Sequence, residues 1–181
     1  MIPLLPADEA LRPGKDVGLD ERFSSLNAFR VMLHNSRAAG AVAELLRTLM
    51  FHNTLNARTR ELVILRNGWR TGSEYEFCQH VRVARDLKMS DEEILGLRDP
   101  ANCSAYSETD RAVIQMADEL LDNSEVAAGT WGALQKAFSN EELVELLLVA
   151  GFWRMIAGFL KTAQVPLDAG VPGWPEGKPP I

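Results

Sequence analysis

Two acidic side chains and a histidine occur close together in the chain, at Glu61, Glu76 and His80. Glu76 and His80 are four positions apart, so on a helix they share one face. A carboxylate beside an imidazole can hold the tautomer of the ring and raise its basicity, which proton transfer near neutral pH requires. The spacing therefore predicts a proton-transfer site centred on His80.

The same stretch argues against thiol redox chemistry. Ser73, Glu76 and His80 have the spacing of a Cys-x-x-Cys-x-x-x-His motif in which neither cysteine is present. No dithiol can cycle at those two positions. Ser73 and Glu76 also fit a capping box at the start of a helix, so either could serve the helix as well as the site.

Each candidate also has a purely structural interpretation. His80 could be a satisfied histidine at a helix boundary, and Glu61 could form an ion pair with Arg58 or Arg60 instead of joining the site. Glu76 and His80 have the spacing of two metal ligands, but no third ligand is evident, so we predict no metal.

Four further side chains are candidates for substrate binding. Arg66 could neutralise an anionic substrate, although a solvated position is the simpler interpretation. Trp69 continues an apolar helical stripe beside Glu61. Cys78 is more typical of a small buried residue than of a nucleophile. Ser73 completes this set of candidates.

Composition limits the classes of function. The chain has 181 residues, enough for one domain with a substantial core, and 46% of them are hydrophobic. Its net charge is -6, with no long basic run, which argues against nucleic acid as a partner. The two cysteines have no metal or redox spacing, so we expect a reduced, cytoplasmic setting.

We expect no targeting or membrane segment. The first nine residues lack a basic n-region and contain two prolines, unlike a secretory signal. The most apolar stretch, residues 143–160, is interrupted by Glu145, Gly151 and Arg154, so it should not span a bilayer.

Apolar residues recur at helical spacing and no segment alternates as a strand does, which predicts an all-α fold. We expect an extended arm over residues 1–20, one helical domain over 21–165 and a Pro/Gly-rich, non-helical tail over 166–181. Trp174 and Ile181 could dock the tail on a neighbouring subunit, or the tail could be loose. The pattern predicts helices over about 21–34, 38–52, 73–87, 125–138 and 141–162, with others capped by Asn56, Ser90 and Ser107.

The two halves of the chain echo each other. Residues 59–64 resemble residues 109–114, and residues 90–97 resemble residues 139–146, both at an offset near fifty. Such an offset predicts an internally duplicated helical unit. Nothing in the second copy corresponds to His80, so any chemistry should lie in the first.

Three segments together resemble the carboxymuconolactone decarboxylase family, whose superfamily includes the alkylhydroperoxidase-D-like proteins. They are residues 60–65, residues 74–77 with His80, and residues 90–94. The resemblance implies an all-α helical bundle, assembly into trimers or hexamers, and a pocket near Glu61 and His80.

The resemblance also implies roles for particular residues. Glu61 matches a proton-relay glutamate of the hydroperoxidase branch, and His80 matches its histidine. The two cysteines of that branch are replaced by Ser73 and Glu76, which argues against peroxidase activity. Cys78 cannot replace them, because it lies about 200° around the helix from His80. The decarboxylase branch uses no such cysteine pair.

We therefore expect a carboxymuconolactone-decarboxylase-like homo-oligomeric enzyme that acts on a small carboxylated lactone or ring-cleavage product. His80 would be the proton donor or shuttle, Glu61 and Glu76 would orient it, and Arg66 would hold a carboxylate. No cofactor is expected, because the carbonyl of the substrate can accept the charge. The alternatives are a peroxiredoxin-type hydroperoxide reductase that depends on Cys78, and a non-catalytic oligomeric small-ligand binder.

Overall fold

A computed structural model describes residues 2–179, and within that range the chain forms helices and no β-strand. The predicted all-α class is confirmed. The α-helices are α1 (Ala7–Asp16), α2 (Glu21–Ser25), α3 (Asn27–Met32), α4 (Ser36–Phe51), α5 (Ala57–Thr71), α6 (Glu74–Asp86), α7 (Asp91–Gly96), α8 (Glu108–Asn123), α9 (Ala128–Ala137) and α10 (Asn140–Ala163). Single 3-10 turns occur at Leu33–Asn35, Pro100–Asn102 and Pro175–Gly177.

The predicted caps form as expected where the side chain can reach the first free N–H groups. The Asn56 side chain accepts from the backbone N–H groups of Arg58 and Thr59. Ser90 and Ser107 each complete a reciprocal capping box. These bonds satisfy donors that a helix start otherwise leaves open, so they are decided by sequence over a few residues.

The described residues divide into two compact units. The first consists of residues 2–53 and 159–171 and has an apolar core that includes Ala10, Phe29 and Ala43. Within it, the backbone N–H of Asn27 donates to the Asp168 carboxylate over 2.7 Å. The side-chain amide of Asn27 donates to the backbone carbonyls of Pro166 and Leu167. This fixes the start of the predicted tail.

The prediction of an extended arm over residues 1–20 is wrong for most of its length, because α1 forms there and contains Pro13. An internal proline removes one helical hydrogen bond, but burial can outweigh that loss. Ala10 is fully buried, and a β-carbon on Gly14 would collide with Ser24. The close packing of α1 on α2 therefore stabilises a helix that local propensity disfavours.

The second unit consists of residues 54–158 and 172–179, and α5 is its central helix. Every residue from 60 to 68 on α5 is buried. Besides a contact of 2.7 Å between Arg70 and Asp118, three arginine–aspartate pairs join α5 to α8: Arg58–Asp110, Arg66–Asp118 and Arg70–Asp122. Each pair is separated by 52 positions, and this constant separation means that α8 runs parallel to α5. Helices α5 and α8 contain the similar segments 59–64 and 109–114, whose origin by duplication stays a prediction.

The tail folds back on its own chain. The Trp174 ring lies 5.8 Å from Trp69 and 5.1 Å from Phe77, between ring centroids. Apart from the turn at Pro175–Gly177, residues 166–179 of the tail lack helix, as expected. Trp174 therefore docks within its own subunit, whereas Ile181 lies outside the described residues.

Helix α10 departs from the expectation that no segment could cross a membrane. It has 24 residues, and its most apolar window has a mean hydropathy of 1.8, so its length and composition alone would allow a crossing. Core helices of globular proteins pass the same test, and 44% of that window is buried within the chain. Leu146 and Val149 are buried, whereas Val144, Leu148 and Met155 are exposed.

Replacing Arg66 with leucine should destabilise the fold by about 2 kcal/mol, because the Leu97 carbonyl loses its buried donor and Asp118 keeps only the partly exposed Arg70 as a cationic partner. Arg70→Leu is the matched control. Its side chain is 31% exposed against 9% for Arg66, so it should cost less than about 1 kcal/mol. Urea unfolding of both variants measures the difference, and equal costs would contradict this account.

Candidate active site

The two residues predicted to transfer protons are in direct contact. Oε2 of Glu61 on α5 lies 2.6 Å from Nδ1 of His80 on α6. Their helices form a hairpin that turns at Gly72, where φ is 65°, a left-handed conformation that glycine adopts readily. A β-carbon on Gly68 would lie 3.1 Å from Phe77, so a glycine there allows α6 to approach α5 closely.

The Glu61 carboxylate is completely buried, and its second oxygen lies 3.3 Å from Nε of Arg60. Glu61 therefore combines both of its predicted alternatives, an ion pair and a contact with His80. Arg58 pairs instead with Glu93 and Asp110. The His80 side chain is 13% exposed, so a nearly dry environment strengthens its bond to Glu61.

Trp153 on α10 completes the site, and sequence analysis did not identify it. Its indole Nε1–H donates to Nε2 of His80 over 3.0 Å, with the two rings edge to face at 83°. An indole N–H can only donate, so Nε2 must carry the lone pair. The proton of the neutral ring therefore lies on Nδ1, which donates to Glu61. Nothing in the apolar pattern of α10 distinguished Trp153 from a core residue.

Two polar contacts place α10 against α5. The Glu145 carboxylate accepts from the backbone N–H of Thr54 at 3.0 Å and of Leu55 at 2.7 Å, just before α5 begins. The Asn67 amide donates to the Ala150 carbonyl over 2.9 Å. Glu145, which interrupts an apolar stretch in the sequence, is thus the residue that anchors the helix carrying Trp153.

Glu76 does not orient His80, contrary to the prediction. Both ring nitrogens are already engaged by Glu61 and Trp153, and neither oxygen of Glu76 has a hydrogen-bond partner. Glu76 is only 2% exposed, and this desolvation raises the pKa of its carboxyl well above the usual value. The site therefore contains a neutral carboxylic acid as well as the paired Glu61.

The predicted capping box between Ser73 and Glu76 is also absent. Ser73 occupies the N-cap position of α6, but its side chain caps no backbone group, and its buried hydroxyl has no partner. Ser73 and Glu76 thus present unused hydrogen-bonding groups on the same side of α6 as His80. Buried polar groups are usually satisfied, so this pair points to a polar ligand or to bound water.

The structure assigns the other predicted binding residues to different tasks. Arg66 donates to both oxygens of Asp118 and to the Leu97 carbonyl, and these bonds occupy it within the core. Trp69 packs against the rings of Phe77 and Trp174, and the guanidinium of Arg98 lies over its ring. Burial, and then the charge of Glu74, raise the pKa of the Cys78 thiol to about 12.

The pocket expected beside Glu61 and His80 is not among the two cavities found in the second unit. One, of about 400 Å³, lies around α7 and includes Asp91 and Cys103. The other, of about 170 Å³, is lined by residues of α5, α8 and α10, including Asn67 and Arg154. Neither cavity includes Glu61 or His80.

A model of a known family matches the part of the chain that contains these residues. The model of the carboxymuconolactone decarboxylase family matches residues 36–119, which include Glu61, Ser73, Glu76 and His80. The part of the chain that carries the candidate site is therefore similar to the carboxymuconolactone decarboxylase family. No curated protein sequence matches the chain significantly.

Solved structures share this fold at low sequence identity. A protein of unknown function from Agrobacterium tumefaciens, proposed as the antioxidant defence protein AhpD, has a TM-score of 0.71 and 20% identity and covers 75% of this chain and 94% of its own. A peroxidase-related protein from Ralstonia eutropha JMP134, titled an alkylhydroperoxidase AhpD core, has a TM-score of 0.71 and 17% identity and covers 93% and 91%. A cysteine-to-alanine variant of the debrominase Bmp8, in complex with 2,3,4-tribromopyrrole, has a TM-score of 0.77 and 14% identity and covers 93% and 92%.

Replacing Glu76 with glutamine should stabilise the protein increasingly as the pH rises. The folded-state pKa of Glu76 is raised, so the folded protein keeps a proton that the unfolded chain releases above pH 4.5, the ordinary value. Stability is therefore greatest below that pH and is lost as the pH rises towards the folded pKa. The variant cannot ionise at this position. Its free energy of unfolding should therefore rise relative to that of the native chain by up to about 1.4 kcal/mol per pH unit in this window.

Urea unfolding at several pH values between about 5 and 8 tests this, with exposed Glu141 replaced by glutamine as the control. A difference between Glu76→Gln and the native chain that does not change with pH would show that Glu76 is ionised in the folded protein.

Proposed function

We propose that the protein is a carboxymuconolactone-decarboxylase-like enzyme that acts on a small carboxylated lactone or related ring-cleavage product by proton transfer through Glu61 and His80. The observation that carries the proposal is the 2.6 Å contact between Glu61 and His80 in a nearly dry site. A buried carboxylate on Nδ1 stabilises the imidazolium form of the ring, which is the form that can deliver a proton.

The reaction divides into bond cleavage and protonation. Cleavage of the carbon–carbon bond to the carboxylate releases carbon dioxide and leaves an electron pair, which delocalises into the substrate carbonyl. The imidazolium of His80 then gives its Nε2 proton to the carbon and returns to the neutral ring. Because the carbonyl accepts the charge, these steps require no cofactor, and one proton taken from solvent restores the imidazolium.

Ser73 and Glu76 supply the polar contacts that the prediction had given to Arg66. Both side chains are buried and have no partner, and the neutral Glu76 carboxyl can donate an O–H. Directed at the substrate carbonyl, such donors would stabilise the negative charge that develops there. This gives Glu76 a role beside the substrate rather than beside the imidazole.

The proposal includes a homo-oligomer, a trimer or a hexamer, located in the cytoplasm. Val144, Leu147, Leu148 and Met155 form an exposed apolar side of α10, which a neighbouring subunit would cover. The similar fold of the debrominase Bmp8 was solved with a small ring compound, 2,3,4-tribromopyrrole. Small rings are therefore suitable first substrates to test.

A non-catalytic ligand binder is the second candidate, and a specific observation favours it. Both nitrogens of His80 have protein partners, and neither cavity of the second unit includes the ring. A histidine satisfied in this way can be purely structural.

His80→Gln should abolish turnover while leaving the helical content and the assembly of the protein intact, because glutamine keeps a polar side chain but cannot shuttle a proton. Ultraviolet decay of muconolactone-type substrates measures turnover. His52→Gln, at an exposed position, is the matched control and should retain full activity. Turnover unchanged in His80→Gln would refute the enzymatic proposal.

The native protein should consume no hydroperoxide through Cys78. With a pKa of about 12, roughly one Cys78 thiol in ten thousand is ionised at pH 8, and the side chain is buried. A coupled peroxidase assay on the native chain and on Cys78→Ser should give the same background rate. Peroxide consumption that disappears in Cys78→Ser would instead support the hydroperoxide reductase.

A further inference from the structure

Trp153 occupies the one nitrogen of His80 that the proposed chemistry needs. The indole is 2% exposed, and its N–H points at Nε2 from 3.0 Å. The other nitrogen, Nδ1, is held by Glu61, so Nε2 is the only position from which the ring can exchange a proton with a substrate.

We infer that Trp153 is a positioning residue that holds His80 in its neutral form until an anionic ligand takes the place of the indole. The catalytic consequence rests on the proposed function. The hydrogen bond and the tautomer that it imposes do not.

The physical argument is a competition between two partners of one ring. Glu61 favours the imidazolium, because a buried carboxylate attracts the positive ring. Trp153 opposes it, because a proton on Nε2 would face the indole N–H, and two donors cannot share one hydrogen bond. While the indole is in place, Nε2 is therefore an acceptor and cannot also carry a proton.

Among residues 2–179, Glu61 and Trp153 are the groups that hydrogen-bond to the ring. Arg60 on α5 acts through Glu61, which it contacts. Glu76 on α6 has no hydrogen-bond partner and is neutral. The balance between the two forms of His80 is therefore decided between Glu61 and Trp153.

Rotation of the indole side chain is the movement that frees Nε2. The backbone of α10 is held before Trp153 by the bond from Asn67 to Ala150. It is held after Trp153 by Arg154, whose Nη1 donates to the Leu120 carbonyl over 2.7 Å and to the Ser124 hydroxyl over 3.2 Å. With the helix tied on both sides, the side chain moves and the backbone stays.

The displaced indole also defines the class of ligand. Once Nε2 is protonated it becomes a donor, and it then needs an acceptor in the space that the indole has left. A small carboxylate or enolate satisfies it, and a neutral apolar ligand does not. Binding of an anion and protonation of His80 are thus coupled.

Nitrogen NMR of the native protein with labelled histidine and tryptophan tests the resting state directly. We expect an unprotonated Nε2 on His80 and a scalar coupling across the N–H···N hydrogen bond between the indole and the imidazole. A ring with its proton on Nε2, or the absence of that coupling, would overturn the inference without the use of any variant.

Trp153→Phe removes the donor and keeps an aromatic ring. The lone-pair resonance of Nε2 should move downfield in this variant, because Nε2 no longer accepts a hydrogen bond from the indole. Trp131→Phe makes the same change on α9 and should leave the His80 resonances unchanged. His80 resonances in Trp153→Phe identical to those of the native protein would also overturn the inference.

Muconolactone, a small carboxylated lactone, is the ligand probe. Added to the native protein, it should remove the coupling between the indole and His80 and shift the Trp153 N–H resonance. A coupling that persists in the presence of saturating muconolactone would refute the displacement. If the resting tautomer is as expected but His80→Gln retains turnover, the proposed function fails and the role of Trp153 in fixing the tautomer stands.

Discussion

Burial of the Glu61 carboxylate is the constraint on which the second unit depends. A carboxylate removed completely from water is costly unless cations or donors surround it. Arg60 provides one partner on the same helix, and His80 provides the other from α6. The hairpin between α5 and α6 must therefore close tightly enough for the imidazole to reach Glu61, which Gly68 and Gly72 allow.

The hydrogen bond between Glu61 and His80 also creates a need for a donor from α10. An imidazole that donates through Nδ1 is left with a buried acceptor at Nε2, and Trp153 satisfies it. The position of α10 is in turn set by the Glu145 carboxylate and the Asn67 amide. Each polar contact meets a need created by the previous one, so the three helices are coupled through hydrogen bonds as well as through apolar packing.

Ser73 and Glu76 are exceptions to this complete pairing, and they lie on the His80 side of α6. Proteins tolerate unsatisfied buried groups at few positions, and functional sites are prominent among them. The arginine–aspartate pairs between α5 and α8 supply rigidity around this site. They also explain why Arg66 is unsuited to bind a substrate, since its guanidinium is already in use.

Local features of the chain were predictable because they depend on neighbours in sequence. The helices, the caps at Asn56, Ser90 and Ser107 and the turn at Gly72 follow from interactions within a few residues. The contact between Glu61 and His80 was expected from the family resemblance, since spacing alone shows which helix face a residue occupies and not what lies opposite. For the same reason the sequence could not show that Trp153, and not Glu76, would hydrogen-bond to His80.

By itself, the sequence determined where the chain is helical apart from α1, which side chains could move a proton, and that no cysteine pair could serve in their place. The tertiary structure decided which of those side chains meet. It buried Glu61, left Glu76 without a partner and brought Trp153 from the far end of the chain onto His80. The physical reason is that helical periodicity depends on a few neighbouring residues, whereas a hydrogen bond across 73 positions depends on the packing of whole helices.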